Sequence, residues 1–275
     1  MRFSVRHETL YQYSAPVRFT PHLLRLTPRV DPTCILARSI VVTPEPVMRH
    51  EATDRFGNPI THVHFEGVSD ILRVESSFAV DTFAAPALRD PGLPLLPWPT
   101  TLDDPLAGYR LQGAQDDAVS AFATALAAES GWAVLPFLDH LTRWLFTHLE
   151  RRIRAGGAAQ APARTLALGS GACRDLAVLF MAACRSLGLA ARFVSGYQAR
   201  ADTRDGRRHL HAWPEVFLPG LGWRGFDPTH GVAVDDGHVA LCAAPDQAAT
   251  MPVEGAFYGS DVTSTIAYHV EIVVG

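Results

Sequence analysis

Chemistry concentrates in Gly169-Ser-Gly-Ala-Cys-Arg-Asp175. Cys173 falls in the first turn of a helix expected over residues 172–187, after two glycines that let a ligand approach the backbone. A helix N-terminus favours negative charge, so a thiolate gains stability there. The free N–H groups of the same turn can meet a developing oxyanion. A lone cysteine on an apolar helix is more often a small buried hydrophobe. Cys184, among Met181, Ala183 and Leu187, reads that way. A nucleophilic thiol needs a base, and the base needs a group that orients it. His211, in His209-Leu-His-Ala-Trp-Pro-Glu-Val-Phe217, and Asp227, in Gly222-Trp-Arg-Gly-Phe-Asp-Pro-Thr-His230, are the candidates.

Register decides whether they can meet. His211 opens one expected strand (residues 209–218) and Asp227 closes the next (222–226), joined around Pro219-Gly220. A four-residue turn puts the two side chains on opposite faces. A five-residue turn over 218–222 pairs Phe217 with Trp223 and leaves His211 diagonal to Asp227 on one face. The triad requires the longer turn or an equivalent bulge.

The surrounding pattern must supply these elements. Residues 1–83 read as β. Phe3, Val5, His7, Thr9, Tyr11 and Tyr13 alternate on one face, as do Leu72, Val74, Phe78 and Val80, with a turn at Asp54–Pro59 and a strand at 60–65. Nothing in this half reads as catalytic. Six prolines in 85–105 argue for a stiff linker, with Leu95, Leu96 and Trp98 to lay against the surface. Helices are expected at 116–128 and 135–154, the second ended by Gly156-Gly157, then a small-residue loop at 158–168. Ser170 is the expected cap of the 172–187 helix and Gly188 its C′ residue. Strands follow at 191–198 and, finally, 268–274. The division is thus a β-rich domain over 1–84, a linker over 85–114 and a core over 115–275.

Composition removes several function classes. The chain has 275 residues, and all 24 of its basic residues are arginine. Without lysine there is no side-chain Schiff base and no GxxxxGK[ST] phosphate loop. Net charge is −4 with no basic stripe, which argues against nucleic acid as partner. No signal-peptide h-region and no uncharged apolar run of membrane-spanning length is visible, so no membrane partner is expected and the expected address is cytoplasmic. Four cysteines without CxxC spacing suggest neither a disulfide framework nor structural zinc. His209-x-His211 is half a metal site without further ligands, and Asp235-Asp236-Gly237 reads as a turn. No metal or cofactor is expected. Asp175, about 200° around the helix from Cys173, reads as a helix-start charge or a polar core contact.

The chain resembles the bacterial transglutaminase-like proteins, a branch of the papain-like cysteine enzymes. The resemblance rests on Gly171-Ala-Cys-Arg-Asp175, Cys184-Arg-Ser-Leu-Gly188, Ala191-Arg-Phe-Val-Ser-Gly-Tyr197, His211-Ala-Trp-Pro-Glu-Val216 and Gly222-Trp-Arg-Gly-Phe-Asp-Pro-Thr229, with Asp54-Arg-Phe-Gly-Asn58 in the front half. It implies an α+β fold: a β-sandwich-like N-terminal domain, then a papain/transglutaminase-like core with the nucleophile helix on an antiparallel sheet. It implies Cys173 as nucleophile, His211 as general base and acid, and Asp227 as the orienting group. Beside the resemblance, Trp213 and Trp223 are large aromatics next to a hairpin, which are more often core but could wall the cleft, and Gly171 is a further candidate cleft residue. His230 stands where the family often has Asn, and Ala243-Ala-Pro-Asp246 where it often has Gly-Arg-Asp-Tyr. The expected reaction is thiol-based acyl transfer on a protein or peptide, hydrolysis before transamidation, with a non-catalytic binding module as the alternative. The sequence leaves substrate identity and oligomeric state open.

Overall fold

The computed structural model describes residues 1–30, 33–100, 104–110, 116–154, 156–200 and 208–275. Strands come first: β1 Arg2–Phe19, β2 His22–Leu24, β3 Thr33–Thr43, β4 Met48–Thr53, β5 Pro59–His64 and β6 Ser69–Thr82. Next are α1 Ala107–Arg110, α2 Asp117–Glu129, α3 Val134–His148, β7 Glu150–Arg151, α4 Pro162–Leu168, β8 Ser170–Gly171 and α5 Cys173–Ser186. The rest is β: β9 Ala191–Gln198, β10 His211–Leu218, β11 Gly222–Asp227, β12 Val232–Ala233, β13 His238–Ala244, β14 Val253–Glu254, β15 Phe257–Tyr258 and β16 Ser264–Val274. The fold is α+β with antiparallel main sheets, as expected. No single helix among the described residues is long and apolar enough to cross a membrane.

One sheet runs β15-β1-β6-β3 with β16 also paired to β1, and a second runs β14-β2-β5-β4. Period-two alternation drives them: Phe3 and Val5 on β1 and Leu72, Val74, Phe78 and Val80 on β6 are buried. The final strand, expected with the second half, pairs along β1 from Phe3↔Val274 to Tyr13↔Ser264. The chain's last residues therefore complete the first sheet. The core beneath it also takes Tyr197, Val239 and Leu241 from the second half. Asn58, in the Asp54–Asn58 turn, donates from Nδ2 to the Ala243 carbonyl (2.9 Å) and accepts at Oδ1 from the Ala243 N–H (2.8 Å). This amide acts as one more strand residue on β13, across 185 positions of sequence.

The third sheet, β12-β11-β10-β9-β13, carries α5 on one face. Leu176, Leu179, Phe180 and Ala183 of α5 are buried with Leu138, Leu141 and Leu145 of α3. The proline-rich stretch lies against this core: Leu96 and Trp98 are buried, although Leu95 is exposed. Linker positions 101–103 and 111–114, and position 115 where the core was expected to begin, lie outside the described residues.

Three local expectations need correction. The helix expected to reach residue 154 ends at His148, with Leu149 already extended. The chain next pairs in parallel with β8, through Glu150 N–H to Gly169 O (2.8 Å) and Arg152 N–H to Gly171 O (2.9 Å). That pairing outweighs further helical hydrogen bonds, and Ile153 is left exposed. The loop expected over 158–168 contains α4, started by Pro162 at its first turn and closed by Gly169 at φ 60°. Ser170 does not cap α5, because it sits in β8. Ala172 takes the cap position, and its N–H donates to Asp175 Oδ2 (2.8 Å). Asp175 thus supplies the carboxylate half of a capping box.

Candidate active site

Cys173 opens α5, His211 opens β10 and Asp227 closes β11. The hairpin pairs Phe217 with Trp223 and Leu218 with Gly222, the register of the longer turn. Its ladder runs as far as Glu215↔Gly225, beyond which β11 turns to β12. His211 Nε2 lies 2.8 Å from Asp227 Oδ2, and both side chains are essentially buried. An ionised carboxylate only accepts, so Nε2 carries the proton. That leaves Nδ1 as the ring nitrogen for a second partner, and the sulfur of Cys173 is within interaction range of the ring.

Two more imidazoles converge on Asp227. His230 Nδ1 donates to Oδ2 (2.9 Å) and His238 Nε2 donates to the same oxygen (3.1 Å). The other oxygen, Oδ1, accepts from the backbone N–H groups of Thr229 (2.9 Å) and His230 (3.3 Å). Burial opposes ionisation of Asp227. The His211 charge and the donors from His211, His230 and His238 outweigh it and hold the carboxyl well below its usual range. Burial likewise opposes a charged His211. Asp227, by charge and hydrogen bond, and then Cys173 override it and raise His211 well above the ordinary imidazole value.

His230 and His238 were missed as functional candidates. His230 stood only as a departure from a motif, and nothing local marks His238, 11 residues past Asp227. The ligand-type atoms of His211, Asp227 and His230 lie within 4.8 Å of one another, so these three could close on a divalent cation. Doing so would break the hydrogen bonds by which Asp227 orients His211. His209 takes no part, since its ring meets Tyr268 edge-on.

Cys173 and His211 face one cleft of about 380 Å³. Its walls come from both ends of the chain: His7, Thr9 and Tyr11 of β1, Ile266 and Tyr268 of β16, Arg151–Arg154 after α3, and Thr250–Val253. The first sheet therefore shapes the cleft, a role the sequence left open. His7 is buried, which pushes its imidazole down to about 4, and its Nδ1 lies 2.6 Å from the Tyr197 hydroxyl. It is a neutral wall residue. Ser195 Oγ and Thr229 Oγ1 belong to cleft-lining residues, are buried, and have no hydrogen-bond partner among the described residues.

The candidate cleft residues do not line the cleft, and Trp213 takes the core reading instead. Trp213 is buried behind His211, with its ring 6.0 Å from the imidazole and 5.2 Å from His238. Gly196 makes room for it: a Cβ there would stand 2.6 Å from the indole and 2.1 Å from Val239 O. Trp223 packs on Tyr109, Phe217 and Arg192, away from the cleft. Gly171 is buried in β8, where a Cβ would meet Asp175 Cβ at 2.8 Å; close packing against the helix start explains the glycine. Asp175 is fully buried and accepts from Arg154, Gln160 and Ala172.

Residues 3–81 match the bacterial transglutaminase-like N-terminal region, and residues 121–228 match the transglutaminase-like superfamily. An uncharacterised protein of Mycobacterium tuberculosis is 28% identical over 292 residues, spanning 99% of this chain and 92% of its own. One from Mycobacterium leprae is 25% identical over 275 residues, spanning 95% of each. A crystal structure from Cytophaga hutchinsonii, provisionally assigned as a cysteine protease, shares the fold at a TM-score of 0.71 and 21% identity, covering 99% of this chain and 90% of that one.

Proposed function

For a chain that is transglutaminase-like in both halves, with a fold used for cysteine-based catalysis, we propose a thiol acyl-transfer enzyme that hydrolyses a peptide or amide bond. The observation that carries the reading is the buried His211–Asp227 pair beside Cys173 at a helix start. Cys173 Sγ attacks the carbonyl carbon and His211 manages the proton. The oxyanion forms against the Cys173 N–H and a second donor. Collapse of the tetrahedral intermediate breaks the C–N bond, and His211 gives its proton to the departing amine. The acyl group remains as a thioester on Cys173. Water then attacks the thioester, activated by His211, to release a carboxylic acid and regenerate the thiol.

Asp227 positions the imidazole and stabilises its charged form, and His230 and His238 hold Asp227 in turn. The side chain of Cys173 is only half-buried, so water reaches the thioester. That accessibility favours hydrolysis over transfer to an amine. The substrate is a protein or peptide.

The test follows both fates of the acyl group. A Gln-bearing peptide is incubated with the enzyme and a fluorescent primary amine, while ammonia release and amine incorporation are measured together. Hydrolysis exceeding incorporation at millimolar amine supports the reading. Incorporation that outcompetes water would assign transamidation instead.

A further inference from the structure

The cleft has an unbalanced electrostatic lining. Among the described residues that form it are four arginines, Arg151, Arg152, Arg154 and Arg174, and no aspartate or glutamate. The carboxylates that pair with Arg154 and Arg152 are not part of the lining. Asp175 is fully buried and pairs with Arg154. Glu150 meets Arg152 at 3.1 Å, with both side chains more than half exposed, so that pair competes with water and is weak.

Arg174 follows the nucleophile directly. Its Nη1 donates to Arg154 O (3.1 Å) and its Nη2 to Gly156 O. These carbonyls fix the guanidinium without neutralising it. Its Nε–H is buried and has no hydrogen-bond partner among the described residues. Burial, and then the Arg154 charge, push the Arg174 guanidinium down from its ordinary value, against the smaller opposing pull of Cys173 and Asp175. Other lining residues are different in kind: Tyr11, Leu210, Met251, Ile266 and Tyr268 are apolar or aromatic.

We propose that this cleft takes an anionic acyl donor: an amide or peptide with an apolar body, whose carboxylate lies against Arg174 and Arg152 beside the bond attacked by Cys173. A guanidinium fork suits a carboxylate. The early end of α3 is what makes the site. Had the helix run on, Arg151–Arg154 would have spread around its axis rather than along one edge of the cleft. This inference rests on the thiol-nucleophile reading and specifies its substrate.

The test compares alkylation of Cys173 by iodoacetate and iodoacetamide in the full chain, with the exposed thiol of Cys34 as internal reference. The His211 imidazolium alone favours the anionic reagent, so the arginine dependence is the diagnostic readout. At low salt the iodoacetate-to-iodoacetamide rate ratio at Cys173 should exceed that at Cys34 by roughly tenfold or more. It should fall several-fold in Arg174→Gln, in Arg152→Gln and in 0.5 M salt, where charges about 3–5 Å apart are already screened. Arg152 is largely exposed, so its variant keeps the fold if Arg174→Gln does not. A fast Cys173 whose ratio ignores both substitutions overturns the anionic donor and leaves the nucleophile standing. A Cys173 no faster than Cys34 with either reagent overturns both.

Protection from iodoacetamide then identifies the carboxylate. Acetyl-Leu-Glu-amide protecting better than acetyl-Leu-Gln-amide points to a side-chain acid, and acetyl-Leu-Gln with a free C-terminus protecting better points to a terminal one. Equal protection by charged and uncharged peptides overturns the proposal.

Discussion

At the residue scale, one carboxylate organises the site. Asp227 accepts from three imidazoles and two backbone N–H groups. Its depressed value and the raised value of His211 fix a pH dependence. The raised His211 contributes stability that is complete below the unfolded imidazole value, about 6.5, and is lost as pH rises through its folded value. The depressed Asp227 contributes above the unfolded carboxyl value, about 3.9, and is lost as pH falls through its folded value. The pair thus stabilises fully between roughly pH 4 and 6.5. Asp227→Asn should lower Tm most inside that window, and the deficit should shrink on both sides; a deficit independent of pH would contradict the ion pair. His238→Ala should slow Cys173 alkylation and shift its alkaline limb to lower pH, whereas a merely structural role would lower Tm and leave the limb in place. The two residues of the pair were legible in the sequence because their motifs carry them and a register argument could test them. His230 and His238 were not, because convergence on one oxygen is a tertiary fact with no local period.

Elements explain what positions that cluster. Gly196 in β9 admits the Trp213 ring behind His211. Gly196→Ala should cost stability and also slow Cys173 alkylation, because the displaced indole moves the imidazole; unchanged alkylation in a folded variant would contradict this coupling. Asn58 ties the Asp54–Asn58 turn to β13 with two hydrogen bonds. Asn58→Ala leaves the Ala243 N–H and carbonyl buried without partners and should cost about 2–3 kcal/mol in urea unfolding. A cost under about 0.5 kcal/mol would mean that water or a neighbour replaces the amide. Alternation made the long strands legible, apolar three- and four-residue steps did the same for α3, and an alanine-rich stretch marked α2. The end of α3 was not legible, because Leu149 and Ile153 continue the helical period while backbone pairing with β8 decides the conformation. The α4 helix was hidden by its small residues, although Pro162 marks its start.

For the molecule as a whole, the sequence division hides a shared core. Tyr197, Val239 and Leu241 pack beneath the first sheet, and β16 returns to pair with β1. Calorimetry should therefore show a single cooperative unfolding transition, and two separable transitions would contradict the shared core. The absent lysine also acts at this scale. With all 24 basic residues arginine, the chain offers no ε-amine acceptor, so amine incorporation at lysine reports on a partner protein alone. The central claim is that Cys173 is a nucleophile made reactive by His211 in a cleft walled by both halves. Its most direct test is the iodoacetamide alkylation rate of Cys173 relative to Cys34 at pH 6, in the wild type and in His211→Asn, read by peptide mass spectrometry. The account expects Cys173 to react at least about a hundredfold faster than Cys34 and to lose that advantage in the variant. Equal rates at the two cysteines, or a Cys173 rate indifferent to His211, would contradict it.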